Sequence, residues 1–350
     1  MLMSVFNGER YLQESLNSIL DQSFRDFELI VVNDCSTDGT SGILNSLKDG
    51  RIRILENGSN LGLTKSLNKG LAEARGLYVA RQDADDLSLP ERLSCQVRFL
   101  DEFPEVAVVG SQAELIFTDG RVRRPPMWLE KAQEEPGISF QSMFDNPIFH
   151  SSAMFRREVI WDVLHGYDET FRTSQDFELW SRVATRFPLR NLGIPLVRLR
   201  VRPDSVSSRY DQTNADNTAG VFLKNLQRAL GSTADLDEWP HIWTHLLNPR
   251  LDLKKGDSRK VAGLISKIYE AFGSVNEAAR GNEVVSRMLA CKLAQAGMSL
   301  TARDSIGAIS CMRRAMQLNF RAVLPSLPGF GVRLCGGGLS RLIRRLNRQS

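Results

Sequence analysis

The chain has 350 residues, room for an enzyme core plus an appendage, since domains commonly run about 100 to 200 residues. Lys plus Arg total 45 against 41 Asp plus Glu, and the resulting charge of +4 is too mild to mark a nucleic-acid-binding protein. Cys35, Cys95, Cys291, Cys311 and Cys335 are odd in number and widely spaced, with no CxxC pair, which argues against a disulfide framework or zinc site and fits a reducing compartment.

No run approaches the roughly 18 consecutive apolar residues of a transmembrane helix, and no charged start with an apolar core resembles a signal peptide. A cytoplasmic protein, soluble or peripheral to a membrane, is expected. The opening "MLMSVFNGERYL" enters an apolar stretch at once, so the first strand reads as clipped by a misplaced start.

Behind the breaker pair Asn7 and Gly8, Leu12, Leu16, Ile19 and Leu20 recur at helical spacing. The near-continuous apolar run "FELIVVND" predicts a strand buried on both faces, and "CSTDGTSGILNSLK" a helix after small polar caps. "RIRILENG" and "LYVARQDADD" predict further strands, with the helix "LTKSLNKGLAEAR" between them. This alternation defines an α/β, Rossmann-like, mostly parallel sheet flanked by helices. Such sheets bind ligands at the carboxyl ends of their strands, where "SVFNGE", "VVNDCSTD" and "ARQDADD" all stand. All three should line one crevice, with Phe6, Asn7, Glu9, Asp34 and Asp83 at its rim.

"PERLSCQVRFLDEFPEVAVVGSQAELIF" reads as a helix followed by strands, and "LSLPERL" as the proline-started helix entry. From about Asp119 to Ser142 the chain is rich in Arg, Pro and Glu and predicts a mobile surface loop. "DFELWSRVA" is helical, and "LGIPLVRLRVRPDSVSSRY" a closing strand and tail. The composition shifts to helices beyond about Tyr210, which divides the chain into an α/β domain over 1–208, a helical C-terminal domain over 209–330, and a tail over 331–350. The helical region contains one hairpin of tetratricopeptide kind or plain helix packing. In the tail, a glycine hinge precedes Leu339, Leu342, Ile343 and Leu346 on one face with Arg341, Arg344, Arg345 and Arg348 elsewhere, a membrane-surface helix or a frayed basic end.

Asp83, Asp85 and Asp86 crowd four positions, and their mutual repulsion is relieved if a cation joins them. Hard carboxylate oxygens suit Mg²⁺ or Mn²⁺, with a diphosphate supplying further ligands. Asp34 is an acceptor for the N–H edge of a base or a helix cap, and Phe6 a stacking face or a core residue. Lys65 and Asn68 lie near a helix start that favours an anion, with Lys65 as a solvated surface charge the alternative. A base for an acceptor hydroxyl is available from Asp176 or Glu178, near a helix start that Asp176 could instead cap.

Taken in order, "SVFNGERYLQESLNSILDQ", "FELIVVNDCSTDGT", "NLGLTKSLNKGL", "YVARQDADDLSLPERL", "NPIFHSSAMFRR", "GYDETFRTSQDFELWSRVA" and "RVRPDSVS" resemble the family 2 glycosyltransferases. These are inverting enzymes of the GT-A fold, and the likeness spans about residues 1–208. The resemblance implies that Asp34 contacts uracil or another base, that Asp83 and Asp85 form the DxD motif for metal and diphosphate, and that Asp176 is the catalytic base. It also implies a nucleoside-diphosphate sugar donor, UDP-linked in the first instance, and a saccharide or lipid-linked glycan acceptor in bacterial cell-surface glycan synthesis. Three positions depart from the pattern: Ser4 replaces a frequent proline, Gln175 the glutamate before Asp176, and Arg202 a frequent histidine. Arginine cannot ligate a metal, but it pairs with diphosphate oxygens. The competing readings are a nucleotidyltransferase, whose glycine-rich basic phosphate loop "SVFNGERYL" lacks, and a catalytically silent scaffold, which Gln175 and Arg202 leave open.

Overall fold

The computed structural model describes residues 1–125, 129–143, 145–202, 212–230, 257–300 and 305–323. They fall into two compact units, the first built from 1–125, 130–138 and 145–221 and the second from the remainder. The predicted tail over 331–350 lies outside the described residues.

In the first unit, β1 (Leu2–Val5), β2 (Leu29–Asn33) and β3 (Ile52–Glu56) pair in parallel, with Leu2 beside Ile30 and Ile30 beside Arg53. The helices α1 (Leu12–Leu20) and α2 (Thr40–Ser46) make the crossovers, and α3 (Leu63–Glu73) leads to β4 (Tyr78–Ala80). A parallel bridge from Leu2 to Arg81 joins this sheet to a mixed one. The mixed sheet comprises β4, β5 (Leu87–Ser88), β6 (Val108–Phe117), β7 (Val122–Arg123), β8 (Met154–Arg156) and β9 (Leu189–Val201). Its order is β4-β8-β6-β9-β5, with β7 on β6; only β6 and β9 run parallel.

Both faces of β1 and β2 are covered, which is why their sequences are apolar without alternation. Met3, Val5, Leu29 and Val31 pack with Leu12, Leu16 and Ile19 of α1 and with Leu93 and Leu100 of α4 (Arg92–Glu102). The opposite face meets α3 so closely that a Cβ on Gly70 would stand 2.2 Å from Leu2 Cδ1 and 3.2 Å from Val32 Cγ2. Each fully buried aliphatic side chain in these layers contributes on the order of 1.5–3 kcal/mol. That packing fixes the strand ends from which the site is built.

Two local expectations are corrected. Leu87 and Ser88 of "LSLPERL" form β5 against β9, and the helix begins only at Arg92. The segment 119–142 is not a mobile loop throughout. Gln112 Nε2 donates to Lys131 O at 2.6 Å and Asn191 Nδ2 to Ala132 O at 2.7 Å, and Lys131, Ala132 and Ile138 are buried. A helix α5 (Gly137–Ser142) follows. Side-chain amides from β6 and β9 satisfy this backbone, a non-local substitution that composition does not reveal.

Further along, α6 (Gln175–Val183) precedes β9, and α7 (Gln212–Leu230) follows it. The second unit contains α8 (Asp257–Val275), α9 (Glu283–Leu300) and α10 (Ser305–Val323), with α9 packed on both α8 and α10. Phe140 enters this unit against Phe272, with ring centroids 5.5 Å apart.

Candidate active site

The loops after β1, β2 and β4 converge as the alternation predicts. Among the described residues, Asn7, Cys35, His165 and Ser174 are the non-glycine residues with a left-handed backbone. Asn7 and Cys35 follow β1 and β2, and Ser174 starts α6. Strained backbone of this kind persists only where the surroundings hold it. Here the holding contacts are explicit: Asn7 Oδ1 accepts from the Thr37 N–H at 2.8 Å, and Glu9 Oε2 accepts from the Gly39 N–H at 2.6 Å. Asn7 and Glu9 therefore tie the two loops together, and Phe6 stands beside them half exposed.

Asp34 is almost wholly buried and not a helix cap. Its Oδ1 accepts from Asn57 Nδ2 at 2.7 Å and the Leu61 N–H at 2.8 Å, and its Oδ2 accepts from the Gly62 N–H at 2.8 Å. A carboxylate has about four acceptor positions, so about one remains for a ligand. Asn57 also binds Ser66 and receives Lys69 Nζ, joining the loop to α3. Lys65 lies exposed on α3. Asn68 is turned away, into hydrogen bonds with the Tyr167 backbone.

The acidic cluster is organised by three arginines. The fully buried Arg81 pairs with Asp83 through Nη2 and reaches Ser151 Oγ through Nη1. Ser151 Oγ in turn contacts Asp83 Oδ2 at 3.0 Å and Asp86 Oδ2. Although burial opposes its charge, Arg81 holds the Asp83 carboxyl down at about 2. Burial foremost, then Asp83 and Asp85, push Asp86 up to about 8. Asp86 Oδ1 accepts from the Arg200 N–H at 2.7 Å, so this residue joins the loop to β9. Arg200 Nε donates to Asp85 O and its Nη2 to Glu14, while its guanidinium lies 4.2 Å from the Tyr11 ring centre. Arg202, one residue past β9, places Nε 2.8 Å from Asp85 Oδ2.

Asp83 and Asp85 could hold a divalent cation. Both offer hard oxygens, and Asp85 is a carboxylate pushed up by burial and by its neighbour Asp83, which added positive charge would relieve. Among the described residues no group of three or more His, Cys, Asp or Glu forms a closed metal cage. An ion at this pair fits the pattern of Mg²⁺, which takes one or two carboxylates and completes its shell from phosphate and water.

Across the site, Asp176 sits in the first turn of α6, where Asn146 Nδ2 donates to its Oδ2 at 2.7 Å. Burial pushes this carboxyl up and Asp83 adds to the rise, opposed by the Phe177 backbone N–H and by Arg81. Glu178, the other candidate base, points elsewhere: it is buried and pairs with Arg182 at 2.7 Å, and Arg182 binds the Leu164 and Gly166 carbonyls. The sequence reading missed Arg81, Asn146, Ser151 and Arg200. Arg81 stands in the quoted "ARQDADD", Asn146 and Ser151 in "NPIFHSSAMFRR" and Arg200 in the basic alternation of "VRLRVR", but none of these stretches reveals a partner.

A three-stranded parallel sheet whose strand-end loops meet an acidic cluster defines an α/β architecture with its candidate site at the carboxyl ends of the strands. The model of Glycosyl transferase family 2 matches residues 1–164. EpsE of Bacillus subtilis, which carries a glycosyltransferase name, is 36% identical over 228 residues, 63% of this chain and 80% of its own. The O-antigen biosynthesis glycosyltransferase WbnJ of Escherichia coli is 30% identical over 198 residues, 54% of this chain and 72% of its own. TarS 1-349 of S. aureus, solved in complex with UDP-GlcNAc, shares the fold with a TM-score of 0.56 at 20% identity, covering 91% of this chain and 90% of that one. The chain belongs to glycosyl transferase family 2, and it is a glycosyltransferase with a GT-A catalytic fold. Asp176 and Arg202 lie beyond the matched 1–164 segment.

Proposed function

We propose that the chain transfers a sugar from a nucleoside diphosphate, a UDP-sugar foremost, to an acceptor hydroxyl with inversion at the anomeric carbon. The observation that carries this reading is the pairing of two unlike acidic sites. Asp83 and Asp85 stand among arginines at the strand ends, while the half-buried Asp176, raised by burial, is oriented by Asn146. The fold shared with UDP-GlcNAc-bound TarS supports the choice of donor.

In this reading Phe6 stacks on the base and the remaining acceptor position of Asp34 meets its N–H edge, with Asn7 and Glu9 shaping the loop. Lys65 lies at the entrance as an additional positive charge. Asp83 and Asp85 would hold Mg²⁺ or Mn²⁺, which would supply positive charge to neutralise the diphosphate oxygens. Arg202 moves from Asp85 to those oxygens, where a guanidinium makes strong charge-assisted hydrogen bonds. Asp176 takes the proton of the acceptor hydroxyl as that oxygen bonds to the anomeric carbon; the carbon–diphosphate bond breaks, and its electron pair leaves with the diphosphate.

The names of two relatives, O-antigen biosynthesis for WbnJ and amylovoran biosynthesis for AmsE of Erwinia amylovora, support a saccharide or lipid-linked glycan acceptor. No described helix is long and apolar enough to cross a membrane. The proposed place of action is the cytoplasm; the basic tail over 331–350, read from its sequence as a candidate for the inner membrane face, lies outside the described residues.

A panel of nucleotide sugars incubated with Mn²⁺ tests the reading. Release of nucleoside diphosphate is expected from one donor. Release of pyrophosphate would replace the reading with nucleotidyl transfer, and release of neither from any donor would favour a silent scaffold.

A further inference from the structure

Asn146 opens the motif "NPIFHSSAMFRR" but was given no role there, yet it is held more firmly than a surface asparagine needs to be. Its Oδ1 accepts from the Ile148 N–H at 3.3 Å, which assigns Nδ2 to the opposite side, where it donates to Asp176 Oδ2 at 2.7 Å. Its own N–H goes to Asp145 Oδ1 at 2.8 Å, and its carbonyl accepts from Lys131 Nζ at 2.6 Å. Lys131 is itself buried, 4.5 Å from the Phe149 ring centre and 3.4 Å from Asp145 Oδ2. Every polar atom of Asn146 is thus engaged: the backbone is anchored by Asp145 and Lys131, and the side-chain N–H is directed at Asp176.

We propose that Asn146 is the positioning residue for the Asp176 base, holding its carboxylate in one orientation and leaving Oδ1 to receive the acceptor proton. The inference rests on the reading of Asp176 given above. An amide N–H suits this task because it stabilises the ionised carboxylate without adding charge. An aspartate at 146 would have the same shape and the opposite effect, since a second carboxylate would face the first. The other charged or titratable groups acting on Asp176 are Arg81 and Asp83 beyond β4 and Tyr167 before α6.

A structural tether and a positioning residue differ in what they do to the Asp176 proton. In the full chain with ¹³C-labelled aspartate, the Asp176 carboxyl signal, identified by its loss in D176N, is titrated in wild type, N146A and N146D. The midpoint is expected to rise by about one pH unit in N146A and further in N146D, with melting temperatures showing all variants folded. In parallel, UDP release from UDP-GlcNAc, or from the best donor of the panel, should fall at least about tenfold in kcat for N146A with the donor KM unchanged. A midpoint unmoved in a folded N146A or N146D overturns the inference. If N146A does not fold, N146D, which keeps the size and shape, carries the test alone. The two readings fail separately: D176N without release beside an unmoved midpoint removes only the role of Asn146, whereas a folded D176N with near-normal release removes the base reading and this inference with it.

Discussion

Arg202 Nε lies 2.8 Å from Asp85 Oδ2, so the arginine just past β9 is already engaged with a carboxylate of the acidic cluster. The contact spans the loop after β4 and the end of β9, and Arg200 reinforces it by binding Asp85 O at 2.7 Å. A charge-assisted hydrogen bond to diphosphate contributes about 1.5–3 kcal/mol. Arg202→Ala should therefore weaken UDP binding roughly tenfold to a hundredfold, read by calorimetry with Mn²⁺ present. Unchanged affinity would remove Arg202 from the donor site.

The raised Asp176 carboxyl sets the sign of the pH response. A base works only when ionised, so turnover at saturating donor should fall as pH drops through its folded pKa. That fall begins above the ordinary aspartate value of about 3.9. Asp85 is raised too, but its protonation acts on donor affinity. Measuring kcat and the UDP dissociation constant separately against pH divides the two effects; a kcat flat down to about pH 4 would contradict the assignment.

Glu178 provides the complementary control. Its ion pair with Arg182 at 2.7 Å is structural. Glu178→Gln should keep at least about a third of the wild-type turnover while lowering the melting temperature, since a pair with one buried member loses its charge partner. Turnover abolished in a folded Glu178→Gln would make it the base instead.

Arg92 is the buried charge with the most to lose. Its guanidinium binds Arg81 O at 2.7 Å, Ser88 Oγ at 3.0 Å, Ala153 O at 3.2 Å and Gln96 Oε1 at 3.2 Å. Burial lowers it to about 9. Arg92→Met leaves those acceptors short of donors inside the core, each costing about 1–3 kcal/mol. A loss of roughly 3–5 kcal/mol in urea unfolding is expected; a change below about 1 kcal/mol would contradict the network's weight.

These arginines also show why the sequence was readable in one half of the site and opaque in the other. The apolar runs before Asn7, Asp34 and Asp83 end in carboxylates and amides, because a buried strand must hand over to polar residues where it meets solvent. That local rule placed the loops, and the ordered motifs placed Asp176. Arg81, Arg92 and Asn146 obey no local rule. Beside their local contacts, each has a partner far along the chain: Ser151 for Arg81, Ala153 for Arg92 and Asp176 for Asn146. The segment 119–142 was misread for the same reason, since Gln112 and Asn191 stand in for a neighbouring strand.

The central claim is that Asp176 removes the acceptor proton opposite a diphosphate held at Asp83 and Asp85. It is tested most directly by UDP release from the best UDP-sugar, with Mn²⁺, in wild type and in Asp176→Asn of matched melting temperature. The account predicts release by wild type and a loss of at least about a thousandfold in the variant, with UDP affinity unchanged. Near-normal release by folded Asp176→Asn would contradict it.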